Sequence, residues 1–483
     1  MKSERRKAKL EFPFSLLGWG GVLFLWLVLP LRAETLTGKV TWTRADSPVS
    51  LGENLIIAPG ATLTIGPGVT VVFAPNPNRR AEPEEGGGLR IVVRGTLRAV
   101  GSAEEPILFR GQSEQVDPPG KWNFGRPYDL LRGWNEYEGI IFTDEAVPYD
   151  EVKDAGCVVR YCVFEGAYQP LDIRECAVRV EFCTFRRMGA GGDRGPGVTL
   201  RSGEVRFCQF EWGGASAARL EGPGWIDYCV FHKGFGDAIV ARAGTITNCT
   251  VQGFAGAALT GEGGEYEVWN CLFTKCSAGL RIDSANYARP SLFHCTFLNL
   301  GWPLPQGAIY LTRRPDAPAP QRVFLRTEGV ENRILIDPDA TWLRTPKLIH
   351  DAVGGAEVHV PNVWWGREGI NPPQDPRFVG NGTTFSLNPV LGSDPQANTV
   401  TFEGLVTDGA NRPVSAALVW VEDANGPATF TDRQGRYTIA GIQPGWYTLH
   451  AYQPGLGEVA KKALWAYGGQ TQRVDLRLPR AAR

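Results

Sequence analysis

The sequence predicts an all-β protein: a right-handed parallel β-helix, a solenoid of short stacked coils, over residues 36–395, then a small β-sandwich over residues 399–480. Three observations lead there. A short motif recurs every 20 to 25 residues through the middle of the chain. The 59 Gly and 35 Pro among 483 residues punctuate the chain densely enough for many short strands and leave little room for long helices. After Ser393 the segment "DPQAN" reads as a linker, beyond which alternating strands and glycine turns replace the repeat.

At the N-terminus, Arg5, Arg6, Lys7 and Lys9 precede an apolar run over residues 15–31, followed by small and polar residues at Ala33 and Glu34. This is the pattern of a secretory signal over residues 1–33, with Ala33 the last residue removed. The other reading is an uncleaved membrane anchor, since the run falls only slightly short of the ~20 residues that span a bilayer. Gly18, Gly20, Gly21 and Pro30 weaken that reading, and no stable transmembrane domain is expected unless the signal stays attached. Both readings place the body outside the cytoplasm: secreted, periplasmic or on a bacterial cell surface. A net charge of −1 and the lack of a basic stripe exclude the electrostatic footprint of nucleic-acid binding.

The coils are marked by a frame of apolar residue, two variable residues, Cys, one variable residue, then Phe or Val. It holds Cys162, Cys183, Cys208, Cys229, Cys249, Cys271 and Cys295, stepping by 21, 25, 21, 20, 22 and 24 residues. That is the period of a solenoid coil. Side chains alternate along a strand, so each Cys and the residue two positions later (Phe164 after Cys162, for example) point inward together. Parallel Cβ vectors in stacked strands do not suit disulfide geometry, so the ladder reads as small apolar core residues. Without Cys-x-x-Cys or clustered His, no metal site is expected. Cys157, Cys176 and Cys276 lie outside the frame, and a bridge among them stays open.

The residue before each ladder Cys should turn the chain. Asn248 and Asn270 suit a left-handed corner, whereas Tyr161, Phe182, Phe207 and Tyr228 do not; the first four coils are therefore expected to bend differently. His294 reads as a corner residue of its own coil. A second short strand lies midway between motifs, at 171–173, 198–200, 278–282 and 307–311, so two strands per coil are legible.

The stretches "NLIIAPGATLTIGPGVTVVF" (54–73) and "RGTLRAVGSAEEPILF" (94–109) resemble the first coils of right-handed β-helix repeat proteins of the pectate-lyase-like superfamily. "NVWWG" (362–366) is similar to a segment such proteins carry near the end of the helix, and with the ladder these cover about three quarters of the chain. The C-terminal part resembles the carboxypeptidase regulatory-like family, which implies a seven-stranded, transthyretin-like sandwich. The matching residues are Gly404, Val406, Pro413, Ala417 and Val419, then Asp432, Gly435 and Tyr437 in "TDRQGRYTI", and Pro444, Gly445 and Tyr447 in "QPGWYTL". Ala416 stands where that family usually has Gly. The resemblance implies an accessory, non-catalytic module on an extracellular protein. Asp432 reads as a turn cap ahead of a calcium ligand, because no carboxylate cluster surrounds it.

Two surfaces could carry function. Residues 112–138 break the coil rhythm and hold Trp122, Phe124, Tyr128, Trp134 and Tyr137. These aromatics either stack on sugar rings or form a flap over an apolar strip. A second irregular stretch, 313–321, is rich in Pro and reads as a surface excursion. The outward side of the midway strand, with Leu171, Leu200, Leu220 and Leu280 inward, would present Asp172, Arg174, Arg201, Arg219, Glu221, Arg242, Glu262, Arg281 and Asp283. Arg and acid alternating from coil to coil read first as cross-strand pairs, next as a glycan-binding face through Asp172, Arg201, Arg242 and Arg281, and last as catalytic groups.

The paired aspartates with His and Arg-x-Lys that pectin hydrolases use are missing as a motif, and the five His stand in unrelated contexts. Asp144, Glu145, Asp150, Glu151 and Asp154 read as a solvated loop. No catalytic residue is assigned. No cofactor is expected, and calcium is unsupported by any motif. The leading functional reading is non-catalytic binding of a polysaccharide or cell-surface glycan. A polysaccharide lyase or glycoside hydrolase is the alternative, and a purely structural surface protein the second.

Overall fold

The structure is a computed structural model describing residues 35–479 apart from 75–87, 114–135, 189–195, 215, 284–288, 302, 313–321, 325–330, 337–346 and 367–373. The signal segment, Trp122, Phe124, Tyr128, Trp134 and the Pro-rich stretch therefore lie outside the described residues.

Each coil contributes three strands where the sequence showed two, because the ladder motif itself folds around a corner. Its apolar residue sits on one strand and its Cys and aromatic on the next. Sheet I has 13 parallel strands running from Thr35–Leu36 to Phe378–Gly380, sheet II has 10 from Lys39–Trp42 to Arg289–Phe293, and sheet III has 12 from Val49–Leu51 to Val363–Trp364. Each strand pairs with its equivalent one coil away, and parallel crossovers of this kind wind right-handed. Alternation sets the register: in Thr62–Ile65, Leu63 and Ile65 are buried while both threonines stay partly exposed.

The interior is a set of side-chain ladders. Phe109, Phe164, Phe185, Phe210 and Phe231 stack with centroids 4.7, 5.2, 4.9 and 4.3 Å apart. All seven ladder cysteines are buried, and all ten cysteines of the chain are free thiols, Cys157 and Cys176 included. The ladder thiols donate to backbone carbonyls of the preceding coil, as Cys183 does to Val159 at 3.5 Å and Cys229 to Val205 at 3.4 Å. Every ladder thiol is enclosed, and burial disfavours the thiolate at each of them.

The expectation that the first four coils bend differently does not hold. Tyr161, Phe182, Phe207 and Tyr228 take φ of 52, 53, 53 and 48°, and Asn248, Asn270 and His294 take 53, 54 and 54°. One left-handed corner serves every coil. The aromatic corners offset its strain by stacking on one another and by lying under the C-terminal sandwich.

That sandwich packs two sheets. One is Arg436–Ile442, Val400–Thr407 and a broken last strand, Thr471–Arg473 and Leu476–Arg477; the other is Thr429–Phe430, Leu418–Glu422, Gly445–Gln453 and Gly457–Ala466. Asp432 caps its turn, accepting the N–H groups of Gln434 and Arg436 at 2.8 Å each, with Gly435 at φ 74°. Ala416 adopts φ 57°, a left-handed conformation that suits the glycine it replaces.

The second sheet of the sandwich presses on the corner row. Trp420 lies 5.0 Å from the Phe207 ring and 5.9 Å from Phe182, and Tyr452 meets Phe182 edge-on at 5.4 Å. Polar contacts fix the register. Tyr452 donates its hydroxyl to Phe182 O at 3.0 Å, Tyr228 to Ala424 O at 2.9 Å, and Ala428 N–H to Asn248 O at 2.8 Å.

Candidate functional site on the outer face of sheet I

The sandwich covers the corner between sheets II and III, so sheet I is the broad face to consider. The sequence reading took its outward residues as one row, but Leu171 and Leu280 belong to one inward rung and Leu200 and Leu220 to the next. Two outward columns result. The first runs Asp172, Thr199, Arg219, Val240, Thr260, Arg281, Tyr310 and His350. The second, two residues further along each strand, holds Arg174, Arg201, Glu221, Arg242, Glu262 and Asp283.

Stacking brings these charges into ion pairs. Arg201 meets Glu221 at 3.0 Å; Arg219 bridges Glu221 at 3.3 Å and Glu262 at 2.8 Å; Arg242 meets the same Glu262 oxygen at 3.1 Å. The result is a continuous network, Arg201–Glu221–Arg219–Glu262–Arg242, across neighbouring coils. Arg281 pairs with Asp237, which also accepts Ala257 N–H at 2.8 Å and the Thr260 hydroxyl at 2.9 Å. Asp172 pairs with Arg174 at 3.1 Å. All four predicted charged residues, Asp172, Arg201, Arg242 and Arg281, therefore stand on one face and are tied down within the protein.

The pairing is partial. The Arg201 and Arg242 side chains remain 42% and 49% exposed, Arg201 held by Glu221 through Nε and Nη2 and Arg242 by Glu262 through Nη2. A fork held this way keeps outward N–H donors at fixed positions, a geometry suited to hydroxyls or carboxylates of a ligand.

Tyr137 departs from expectation. It is fully buried, stacked on Phe73 at 4.1 Å, with its hydroxyl donating to Phe109 O at 3.1 Å, so it is a core residue closing the interrupted coil and not a sugar platform. Its neighbour Glu138 was missed. Glu138 sits against Arg90 at 3.3 Å, and burial, with help from the Asp172 charge, pushes its carboxyl up to about 7 in spite of Arg90. Gln169 donates its backbone N–H to Glu138 O at 2.8 Å and its side-chain amide to the Thr199 hydroxyl at 3.0 Å. Glu138 thus lies within reach of the Asp172 charge at the end of the face where the 112–138 insertion returns to the helix. No local sequence signal marks Glu138: it follows the insertion directly, and in the coil register Asp172 pairs with Ile141, three residues further on.

Among the described residues no group of three or more His, Cys, Asp or Glu side chains is placed to hold a metal ion, and no helix is long and apolar enough to cross a membrane.

Comparison with known proteins adds three findings. Residues 401–479 match the model of the carboxypeptidase regulatory-like domain. No curated protein matches the chain. Among solved structures, a mutant tailspike protein of E. coli bacteriophage HK620, in complex with a hexasaccharide, aligns over 90% of this chain and 86% of its own at 12% identity, with a TM-score of 0.32. The ladders and strand register carry the fold assignment without it.

Proposed function

We propose that the protein binds polysaccharide or a cell-surface glycan, without catalysis, along the outer face of sheet I, from a secreted, periplasmic or surface location. The observation that supports this reading is the half-exposed arginine array: Arg201 and Arg242 are fixed by carboxylates yet keep donors turned to solvent. Arg201 and Arg242 stand two coils apart, roughly 9.6 Å at the ~4.8 Å spacing of stacked strands, and can meet separate groups along an extended polymer. Arginine serves because its planar fork binds carboxylate on one edge while offering hydrogen bonds on the other.

A second reading is polysaccharide cleavage. Glu138, pushed up to about 7 by burial in spite of Arg90, has the acidity of a general acid for work on glycosidic bonds.

A polysaccharide panel scored for both retention and product, with and without calcium, separates the two. Retention without product is the expected result, weakened in an Arg201→Ala, Arg242→Ala double variant. Release of reducing or unsaturated sugars would overturn the non-catalytic reading. Cleavage that needs protonated Glu138 should decline as pH rises past about 7 and vanish in Glu138→Gln.

A further inference from the structure

Away from the helix, the sandwich carries aromatics that neither its core nor its docking face uses. Trp446, Trp465 and Tyr467 are 67%, 38% and 53% exposed. Trp446 and Trp465 sit directly opposite one another on the antiparallel strands Gly445–Gln453 and Gly457–Ala466. Their rings meet edge-to-face, centroids 5.2 Å apart at 62°, and Trp465 meets Tyr467 at 6.2 Å and 76°. Rings arranged edge-to-face do not consume one another's faces as a parallel stack would. Ala466 and the partly buried Leu464 belong to the sandwich core and fix the strand that carries Trp465, with Tyr467 just past its end.

Tyr452, which docks on the corner row, lies on the same strand as Trp446 but six residues on, roughly 20 Å away at strand rise. The helix therefore holds one end of this strand and leaves the other open.

We propose that Trp446, Trp465 and Tyr467 form a stacking platform for neutral pyranose rings, a second glycan site carried by the sandwich itself. Size decides against a protein partner. At these exposures the three rings offer roughly 350 Å², well below the ~800 Å² per partner of a stable protein interface. The composition decides against a bilayer: the large exposed apolar side chains of this patch are all aromatic among the described residues, with no exposed aliphatic side chain to enter an acyl layer. The apolar C–H face of a pyranose matches a single aromatic ring, and the indole N–H and phenol O–H supply polar handles for its hydroxyls. This extends the glycan-binding reading but does not depend on the arginine face, which favours hydroxyl and carboxylate contacts.

The test titrates the full chain with cellohexaose and maltohexaose by calorimetry, comparing wild type, the Trp446→Ala, Trp465→Ala double variant and Trp446→Phe. The platform predicts that the tryptophan double variant weakens binding about tenfold or more and that Trp446→Phe stays within about threefold. An unperturbed thermal midpoint in each variant shows that the fold survives. Equal affinity of wild type and tryptophan double variant, or no binding of either probe by wild type, overturns the platform while leaving retention of acidic polysaccharide to judge the arginine face. Capture by phosphatidylcholine–phosphatidylglycerol vesicles that disappears in the tryptophan double variant would assign the patch to a membrane surface and also overturn it.

Discussion

Tyr161, Phe182, Phe207 and Tyr228 occupy the same backbone corner as Asn248, Asn270 and His294, with φ between 48 and 54° throughout, yet the two sets share almost no chemistry. In the amide set the side chains join a polar ladder: Asn270 donates to Asn248 Oδ1 at 3.3 Å, and Asn248 to Asp227 Oδ1 at 2.9 Å. In the aromatic set the rings stack at 5.0, 5.0 and 5.3 Å and are roofed by Trp420 and Tyr452. A left-handed backbone costs a residue with a Cβ about 1–2 kcal/mol. Asn lowers that cost locally, through its own side chain. The aromatics offset it at a distance, since burying a ring contributes about 1.5–3 kcal/mol when a partner surface is supplied. What stands above a corner selects its residue as much as the corner's own torsions do.

The largest effect should come from removing the roof. Trp420→Ala deletes a buried ring at the centre of the interface and is expected to lose about 3–5 kcal/mol in urea unfolding, whereas Asn270→Ala, which removes a side-chain hydrogen bond to Asn248, should lose about 1 kcal/mol or less. Equal losses would break the distinction between the two corners.

Exchanging the corners is next. Phe207→Asn improves the torsional preference but removes stacking, and is expected to lower stability by about 1–2 kcal/mol. Asn270→Phe removes the amide bond to Asn248 and puts a bulky Cβ-bearing ring in the left-handed corner, and should lower stability by about 1–2 kcal/mol. A gain in stability from Phe207→Asn, measured by the same unfolding, would show that torsion and not coverage governs the row.

A smaller effect lies at the turn where Ala416 takes φ 57°. With no ring to bury there, Ala416→Gly should raise the sandwich's stability by about 1 kcal/mol, read as a higher thermal midpoint.

The smallest concerns His450, which stacks on Trp420 at 4.8 Å between Glu422 and Glu458, each at 3.2 Å. Burial opposes its charge, but the hydrogen bonds to the two carboxylates outweigh burial and raise its pKa. A raised folded-state pKa means that the contribution is full below the unfolded value of about 6.5 and fades as pH climbs through the higher folded value. Thermal midpoints recorded from about pH 5 to about pH 9 should fall more steeply for wild type than for His450→Gln.

The sequence showed the architecture where chemistry repeats. The ladder from Cys162 to Cys295 sets the coil period, and the alternating Arg and acid residues of sheet I read correctly as cross-coil pairs, because both patterns recur about once per coil. It misled where a residue's role depends on a distant partner. Tyr161 and its aromatic successors looked unfit for a left-handed corner because Trp420 and Tyr452, more than 200 residues later, supply their cover. Tyr137 looked like a loop aromatic, though Phe73 waits for it in the coil before. Glu138 comes within reach of the Asp172 charge only through coil stacking, and no local pattern encodes that approach. The exposed Trp446 likewise sits inside a family motif that explains its neighbours Gly445 and Tyr447 but not its own ring.

If glycan is bound on the outer side of sheet I, where Arg201 and Arg242 stay half-exposed, a polysaccharide retained there meets that arginine pair. Arginine labelling with a dicarbonyl reagent, followed by peptide mapping, measures this directly. Bound polysaccharide is predicted to protect Arg201 and Arg242 from modification and to leave Arg473, 65% exposed on the sandwich, unprotected. Protection of Arg473 with no change at Arg201 and Arg242 would contradict the account.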